Sequence, residues 1–312
     1  MKRLEGGSAV PASLRGGIVA LGNFDGFHRG HQAVVGRAIE RARAEGRPAL
    51  VATFDPHPVR YFKPDAPPFR LTTLEQRQRL FAAAGADAMI VFTFDADLAG
   101  LTAQAFVAER LVGLLGATGV VTGEDFTFGK GREGNATVLA GLAAEHGLAA
   151  ETVGPVALDG DPVSSSRIRT ALQDGDCATA ARLLTRPFTI EGVVQHGDKL
   201  GRTIGYPTAN IALARYLRPR YGIYAVRGRL ADGRVLDGAA NLGIRPTFEP
   251  PKELLEVYFF DFDDDLYGQS IEVEFHAFLR PEAKFDDVAA LVRQMDADCL
   301  AARRVLASGG AG

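Results

Sequence analysis

The first half of the chain repeats one pattern: a short apolar run, a polar loop, then a stretch with helical spacing. The apolar runs are Gly17–Leu21, Ala49–Phe54, Ala88–Phe92 and Gly119–Thr122, and His31–Ala44, Leu74–Ala84 and Ala103–Leu115 carry a 3.6-residue period. Runs that are apolar throughout, alternating with amphipathic helices, imply a parallel sheet. Ligands of open α/β sheets bind at the carboxyl ends of the strands, and the chemically dense segments of this half fall at those positions.

From Pro187 onward the period becomes two. Phe188–Val194, Gly222–Val226, Leu255–Phe260 and Ile271–Phe278 read as strands separated by polar turns, with no helical pattern between them. Such spacing predicts a small antiparallel barrel, with the amphipathic stretch Phe285–Leu306 as a helix packed against it. The expected organisation is therefore an α/β domain over 1–185 and a β-barrel domain over 186–312. A length of 312 residues fits two domains.

Composition removes several classes of function. A hydrophobic content of 46% with 23% charged residues is a globular balance. A net charge of −3 gives no bulk basic surface for nucleic acid or an anionic membrane, so neither partner is expected. No run of about 18 apolar residues exists, and the first residues lack the apolar segment of a signal peptide, so a cytoplasmic location is expected. Cys177 and Cys299 stand alone, outside any metal-ligand spacing, and read as buried thiols. Self-association stays open.

Gly22-Asn23-Phe24-Asp25-Gly26-Phe27-His28-Arg29-Gly30-His31 follows an apolar strand and opens a helical pattern. Two histidines three apart would share one face of the first turn, and with the backbone N–H groups of the helix start they form an anion site suited to phosphate. Gly30 between them would let a phosphate approach the backbone. In Ser164-Ser165-Ser166-Arg167 the hydroxyls can cap a helix and donate to phosphate oxygens, and the guanidinium can clamp two of them. Together the two segments resemble the H-x-G-H nucleotidyltransferase superfamily, and the resemblance implies a site with no covalent nucleophile that aligns two substrates and stabilises charge on the reacting phosphates. Between these segments, Gly123–Asn135 carries glycines around Phe126 and Phe128, a loop able to close on a planar ligand, and Thr53–Pro58 is a proline-stiffened strand end.

The second half carries Gly197, Lys199 and Gly201 in a polar loop that ends on Pro207-Thr208-Ala209-Asn210. Thr208 and Asn210, two apart on extended chain, point the same way and offer two neutral oxygens, which suits Mg²⁺ because that ion takes few protein ligands. Further on come Tyr221–Val226, Asn241–Phe248 and Leu255-Glu256-Val257-Tyr258.

In this order the segments resemble the prokaryotic bifunctional riboflavin kinase/FMN adenylyltransferase (FAD synthetase) family over nearly the whole chain. The resemblance implies a Rossmann-like nucleotidyltransferase domain with a parallel sheet, then a small antiparallel β-barrel domain with a C-terminal helix. It implies ATP binding by Gly22, Asn23, Phe24, His28, His31, Ser164, Ser165, Ser166 and Arg167, with His28 and His31 catalytic, and flavin binding by Phe62, Phe106, Asp125 and Phe128. In the kinase half it implies ATP binding by Gly197, Lys199, Gly201, Thr208 and Asn210, Mg²⁺ on Thr208 and Asn210, and Glu256 as the base for the ribityl 5′-hydroxyl. The implied partners are ATP, riboflavin and FMN. Tyr258 and Ile244 depart from a frequent His and Thr, and Asp264 replaces a frequent glycine, at a cost of about 1 kcal/mol if that turn needs positive φ. The acidic run Asp261–Asp265 reads as a solvated hairpin turn. Two rivals are activity confined to one half, and a flavin- or nucleotide-binding regulator; Glu256 counts against the second, since binding alone has no use for a base.

Overall fold

The structure is a computed structural model that describes residues 1–196, 205–245 and 252–308. It divides into two compact units, Met1–Pro67 with Thr73–Ser164, and Pro68–Thr72 with Ser165–Gly312.

In the first unit six parallel strands form one sheet. They are β1 (Lys2–Gly6), β2 (Ile18–Leu21), β3 (Ala49–Asp55), β4 (Ala88–Thr93), β5 (Gly119–Gly123) and β6 (Ala149–Val153), in the order β1-β4-β3-β2-β5-β6. Residues alternate between two cores: Ile18 and Ala20 pack with Val35 and Ile39 of the helix Arg29–Ala44, whereas Val19 and Leu21 pack on the other face with Phe106, Leu111 and Leu139. Both faces are covered, which is why these strands read as unbroken apolar runs. The chain proceeds from β2 through β3 to β4 on one side and returns to β5 on the other, so the strand order reverses between β2 and β5. The H-x-G-H loop leaves β2 and the Gly123–Asn135 loop leaves β5, which puts both at this switch point.

Two strands of this sheet lie outside the sequence expectation. Edge strand β1 alternates exposed and half-buried residues, and β6 is half-buried, so neither carries an apolar run. The expected helix 103–115 is a short turn, Ala103–Ala105, that widens into a π-helix over Phe106–Leu114, with Leu115 N–H bonding the Arg110 carbonyl. Val107, Leu111 and Leu115 of this segment are buried. Two short strands, β7 (Ala157–Leu158) and β8 (Asp161–Pro162), pair before Ser164.

The second unit is a closed antiparallel barrel. Its strands are β9 (Phe188–Gln195), β10 (Ala209–Ala212), β11 (Gly222–Leu230), β12 (Val235–Arg245), β13 (Lys252–Phe259) and β14 (Ser270–Arg280), in the order β10-β13-β12-β11-β14-β9, with β9 pairing back to β10. Ile190, Ile211, Tyr224, Val226, Leu242, Leu255, Val257, Val273 and Phe275 are buried at alternate positions, the period two of the sequence. On the outer surface Tyr258, Ala239, Ala225 and Ala277 lie side by side across β13, β12, β11 and β14. Small side chains there let the helix Val288–Ser308 seat Ala302 and Leu306 directly on the strands.

The change of periodicity at 185 does not coincide with the packing division at Ser164. Helices Ser165–Asp174 and Cys177–Leu184 belong with the barrel: Arg220 N–H bonds the Leu172 carbonyl, and Phe278 lies against Gly175. Asp264 is an exposed residue ion-paired to Arg234 at 2.8 Å, and positive φ in this turn falls on Asp261 and Gly268, so the glycine replacement carries no backbone strain.

Candidate functional site

At the end of β2 the backbone turns sharply, with Phe24 at φ 50° and Phe27 at φ 43°, and delivers His28 as the N-cap of the helix Arg29–Ala44. The His28 ring accepts the His31 N–H through Nδ1 at 3.4 Å, and the two imidazoles stack with centroids 3.6 Å apart. A neutral ring accepting at Nδ1 carries its proton on Nε2, which leaves that nitrogen a hydrogen-bond donor. Gly30 has a local purpose beyond ligand approach: a Cβ there would lie 3.2 Å from the His28 ring and 3.6 Å from the Val163 carbonyl.

Phe24 is buried, with its ring edge-on to His31 at 5.3 Å and to Phe81 at 5.8 Å. It carries His31 from below instead of presenting a face to nucleotide. A Cβ on Gly22 would meet this ring at 3.0 Å. The Asn23 carboxamide oxygen is buried with no hydrogen-bond partner among the described residues.

Beneath this loop lies a group to which the sequence reading gave no role. Arg77 is 2% exposed, and its Nη1 donates to the Asn23 carbonyl at 2.9 Å and to Thr53 Oγ1 at 2.9 Å. The fully buried Thr53 hydroxyl in turn donates to the Asn23 carbonyl at 2.9 Å. The helix Leu74–Ala84 that supplies Arg77 is held by a Thr73/Gln76 capping box. One signal was available: Leu74, Arg77 and Phe81 share a helical stripe, so a guanidinium occupies a core position.

Of the expected flavin-pocket aromatics, Phe106 and Phe128 are buried, 5.6 Å apart, in the core above β5, whereas Phe62 is 64% exposed and packs edge-on against Tyr61 and Phe94. Asp125 is exposed on the loop after β5. Phe126 stacks on Phe128 at 5.8 Å, so the loop between the two glycines is pinned by its own aromatics. Ser164 ends the first unit, and Ser165, Ser166 and Arg167 open the helix Ser165–Asp174 in the second, with Ser166 exposed.

In the barrel unit, strand register gathers the expected kinase residues. Asn210 of β10 pairs with Glu256 of β13, Glu256 with Asn241 of β12, Asn241 with Ile223 of β11, and Ile223 with Arg280 of β14. Directly paired residues point to the same face, so these five form one row on the outside of the barrel, beside the row covered by the helix. Row and helix enclose a cavity of about 940 Å³, which Thr208, Tyr206 and Cys299 also line.

Arg280 closes one end. Its guanidinium makes a bidentate pair with Asp298 of the helix, at 2.8 Å and 2.6 Å, and Gln294 donates to the same carboxylate at 3.0 Å. At the other side Tyr206 donates to Asp296 and lies edge-on to Tyr258 at 4.9 Å. Burial, together with that bond, pushes the Tyr206 hydroxyl well above its usual range. Burial likewise pushes the thiols of Cys299 to about 11 and Cys177 to about 12, so both are unreactive at neutral pH. Asn210 Nδ2 donates to the Thr208 carbonyl at 3.3 Å, which commits the amide nitrogen and turns the carboxamide oxygen the other way. Neutral oxygens of this kind fit Mg²⁺ with water and phosphate as its remaining ligands; no cluster of three or more His, Cys, Asp or Glu suited to a metal occurs among the described residues. Gly197, Lys199 and Gly201 lie outside the described residues.

Two unlike sites, one built on a helix start at a sheet's switch point and the other on neutral oxygens beside a carboxylate, define a group-transfer enzyme that handles nucleoside phosphates twice. A family model described as FAD synthetase matches residues 10–167, and one described as riboflavin kinase matches residues 184–306. The bifunctional riboflavin kinase/FMN adenylyltransferase of Escherichia coli strain K12 is 40% identical over 292 residues, 94% of this chain and 93% of the relative. The enzyme of the same name from Pseudomonas fluorescens is 41% identical over 94% of both chains, and that from Bacillus subtilis 38% identical over 90% of both. A Streptococcus pneumoniae crystal structure titled as a macrolide-efflux protein superposes with a TM-score of 0.85 at 32% identity, covering 96% of this chain and 97% of that one. Among the described residues of the present chain no helix is long and apolar enough to cross a membrane. The chain belongs to the bifunctional riboflavin kinase/FMN adenylyltransferase family.

Proposed function

We infer that this protein makes both flavin cofactors in sequence: riboflavin and ATP give FMN and ADP in the barrel unit, and FMN and ATP give FAD and pyrophosphate in the α/β unit. The observation that carries this reading is the cross-strand row that sets Glu256 directly beside Asn210, on one cavity with Thr208. We assign adenylylation to residues 1–185 and phosphorylation to 186–312, in the cytoplasm, where ATP is supplied.

In the kinase site Glu256 takes the proton of the ribityl 5′-hydroxyl while the oxygen bonds the γ-phosphorus, because only bond formation acidifies an alcohol enough for a carboxylate to accept its proton. Thr208 and Asn210 would hold Mg²⁺, whose charge offsets that of the phosphates. Tyr206 and Arg280, fixed to Asp296 and Asp298 of the helix, hold the cavity walls in place. In the adenylyltransferase site His28 and His31 donate to phosphate as the FMN phosphate displaces pyrophosphate from the α-phosphorus, with Asn23, Ser164, Ser165, Ser166 and Arg167 completing the nucleotide contacts. Phe62, Asp125 and the Phe126–Phe128 loop border the flavin.

Incubation with riboflavin and Mg-ATP, followed by separation of flavins, should yield FMN and then FAD; recovery of neither refutes the reading. Glu256→Ala should stop FMN formation and leave conversion of FMN to FAD intact, and His31→Ala should do the reverse. Loss of both reactions from either change, in a folded protein, would argue against independent sites.

A further inference from the structure

Beyond the end of β3 the chain makes a single helical turn, Pro58–Phe62, at the carboxyl edge of the sheet where ligands of such folds bind. His57 caps it, accepting the Val59 N–H through Nδ1 at 3.2 Å. Val59 and Phe62, three apart, share one side of the turn and are 38% and 64% exposed. Phe62 meets Tyr61 and Phe94 edge-on, at 5.1 Å and 5.8 Å, so most of its ring stays uncovered.

The loop that follows is poor in donors. Pro64 and Pro67 have no N–H, and one backbone bond, from the Ala66 N–H to the Lys63 carbonyl at 3.1 Å, closes a turn between them. Arg60 ties down the remainder: its Nη1 donates to the Pro64 carbonyl at 2.8 Å and to the Ala66 carbonyl, and its Nη2 to the Pro67 carbonyl at 3.2 Å. A guanidinium can gather three carbonyls in this way because its donors form a fixed planar fork, whereas an ammonium is a compact point charge. Arg60 lies within the helical turn, between Val59 and Phe62, so its three bonds lock loop and apolar ledge to one another in the free protein. A ledge ordered in advance loses less entropy when a planar ring settles on it.

We propose that Arg60 is a positioning residue for the adenylyltransferase reaction: it makes no contact with FMN, but fixes Val59 and Phe62 as a preformed apolar surface for the isoalloxazine ring. This rests on the adenylyltransferase reading given above.

The test separates FMN binding from the chemical step. Full-length protein, Arg60→Lys, Arg60→Gln, Phe62→Ala and the double variant of Arg60→Lys with Phe62→Ala are assayed for FAD formation with FMN and ATP varied in turn. Arg60→Lys should raise KM for FMN by about fivefold or more, the worth of one hydrogen bond, while kcat and KM for ATP stay within about twofold of the parent. Arg60→Gln, with one pair of amide donors against three carbonyls, should behave alike, and it decides the matter if the lysine variant does not fold. Because Arg60 acts through Phe62, the double variant should have a KM for FMN within about twofold of that of the worse single variant. Equal rises in both KM values, a loss confined to kcat, or effects of the two substitutions that multiply would each overturn the proposal, as would an unchanged KM for FMN. If the parent forms no FAD from FMN, the adenylyltransferase reading fails first.

Discussion

The Arg77–Thr53–Asn23 triangle predicts that one buried hydroxyl, outside the nucleotide contacts, governs adenylylation. Thr53→Val keeps the shape of a fully buried residue and removes two hydrogen bonds, the one Thr53 donates to the Asn23 carbonyl and the one it accepts from Arg77, both at 2.9 Å. A neutral bond is worth about 0.5–1.5 kcal/mol and one to a charged group about 1.5–3, so the loss is about 2–4 kcal/mol before relaxation. The Asn23 carbonyl keeps its bond from Arg77, so the loop is loosened and not released. If all of this loss were expressed in the transition state, kcat/KM for FAD formation would fall by about 30- to 900-fold. Riboflavin phosphorylation by the same preparation serves as the control and should stay within about twofold, because the barrel forms its own compact unit. The assay is FAD formation from FMN at varied ATP, with thermal unfolding alongside. Unchanged kcat/KM together with an unchanged melting profile would refute the reasoning and make the triangle a bystander.

Three further outcomes are expected. Asp298→Ala leaves Arg280 without its bidentate partner and should cost the barrel about 3 kcal/mol, the low end for a buried pair because 21% of the Arg280 side chain stays exposed; urea unfolding monitored in the kinase unit measures it. The bond from His276, with Arg229 adding to it and burial opposing, holds the Glu274 carboxyl below its usual range, so its contribution to stability is present above the unfolded carboxylate pKa and lost as pH falls through the lower folded one. Glu274→Gln should therefore be less stable than the parent at pH 7, and the gap should close on acidification; a gap that persists at pH 2 contradicts this. Asn210→Ala should raise the Mg²⁺ concentration needed for half-maximal phosphorylation by about tenfold or more while FAD formation keeps its own Mg²⁺ dependence, and equal shifts in both reactions would remove Asn210 from the metal site.

Periodicity made β2 to β5 and the barrel strands β9, β11, β13 and β14 legible, because a strand covered on two faces is apolar throughout and a barrel strand alternates, whereas β12 was not read as a strand. The helix Leu74–Ala84 matches its expected bounds for the same reason, with Thr73 and Gly85 as punctuation. Edge strand β1 and the half-buried β6 were missed because burial, not strand geometry, writes the pattern. The four-residue β10 begins in the Pro207–Asn210 motif and runs two residues past it, where extended chain was expected but no partner strand could be read. Of the aromatics expected to meet flavin, Phe62 is exposed and Phe106 and Phe128 are core residues, a division that composition cannot make, since a ring that lines a pocket and one that fills an interior are chemically the same.

By itself the sequence determined which chemistry is present and in what order along the chain: two histidines at a helix start, neutral oxygens at Thr208 and Asn210, and a carboxylate at Glu256. Only the tertiary structure decided what stands beside what. Closure of the barrel sets Asn210, Glu256, Asn241, Ile223 and Arg280 side by side from five separate strands, and packing of the helix Leu74–Ala84 carries Arg77 beneath Asn23. The physical reason is that local patterns record only whether a residue is buried and on which face, whereas neighbours across a sheet are set by register, a property of paired strands that no single segment carries.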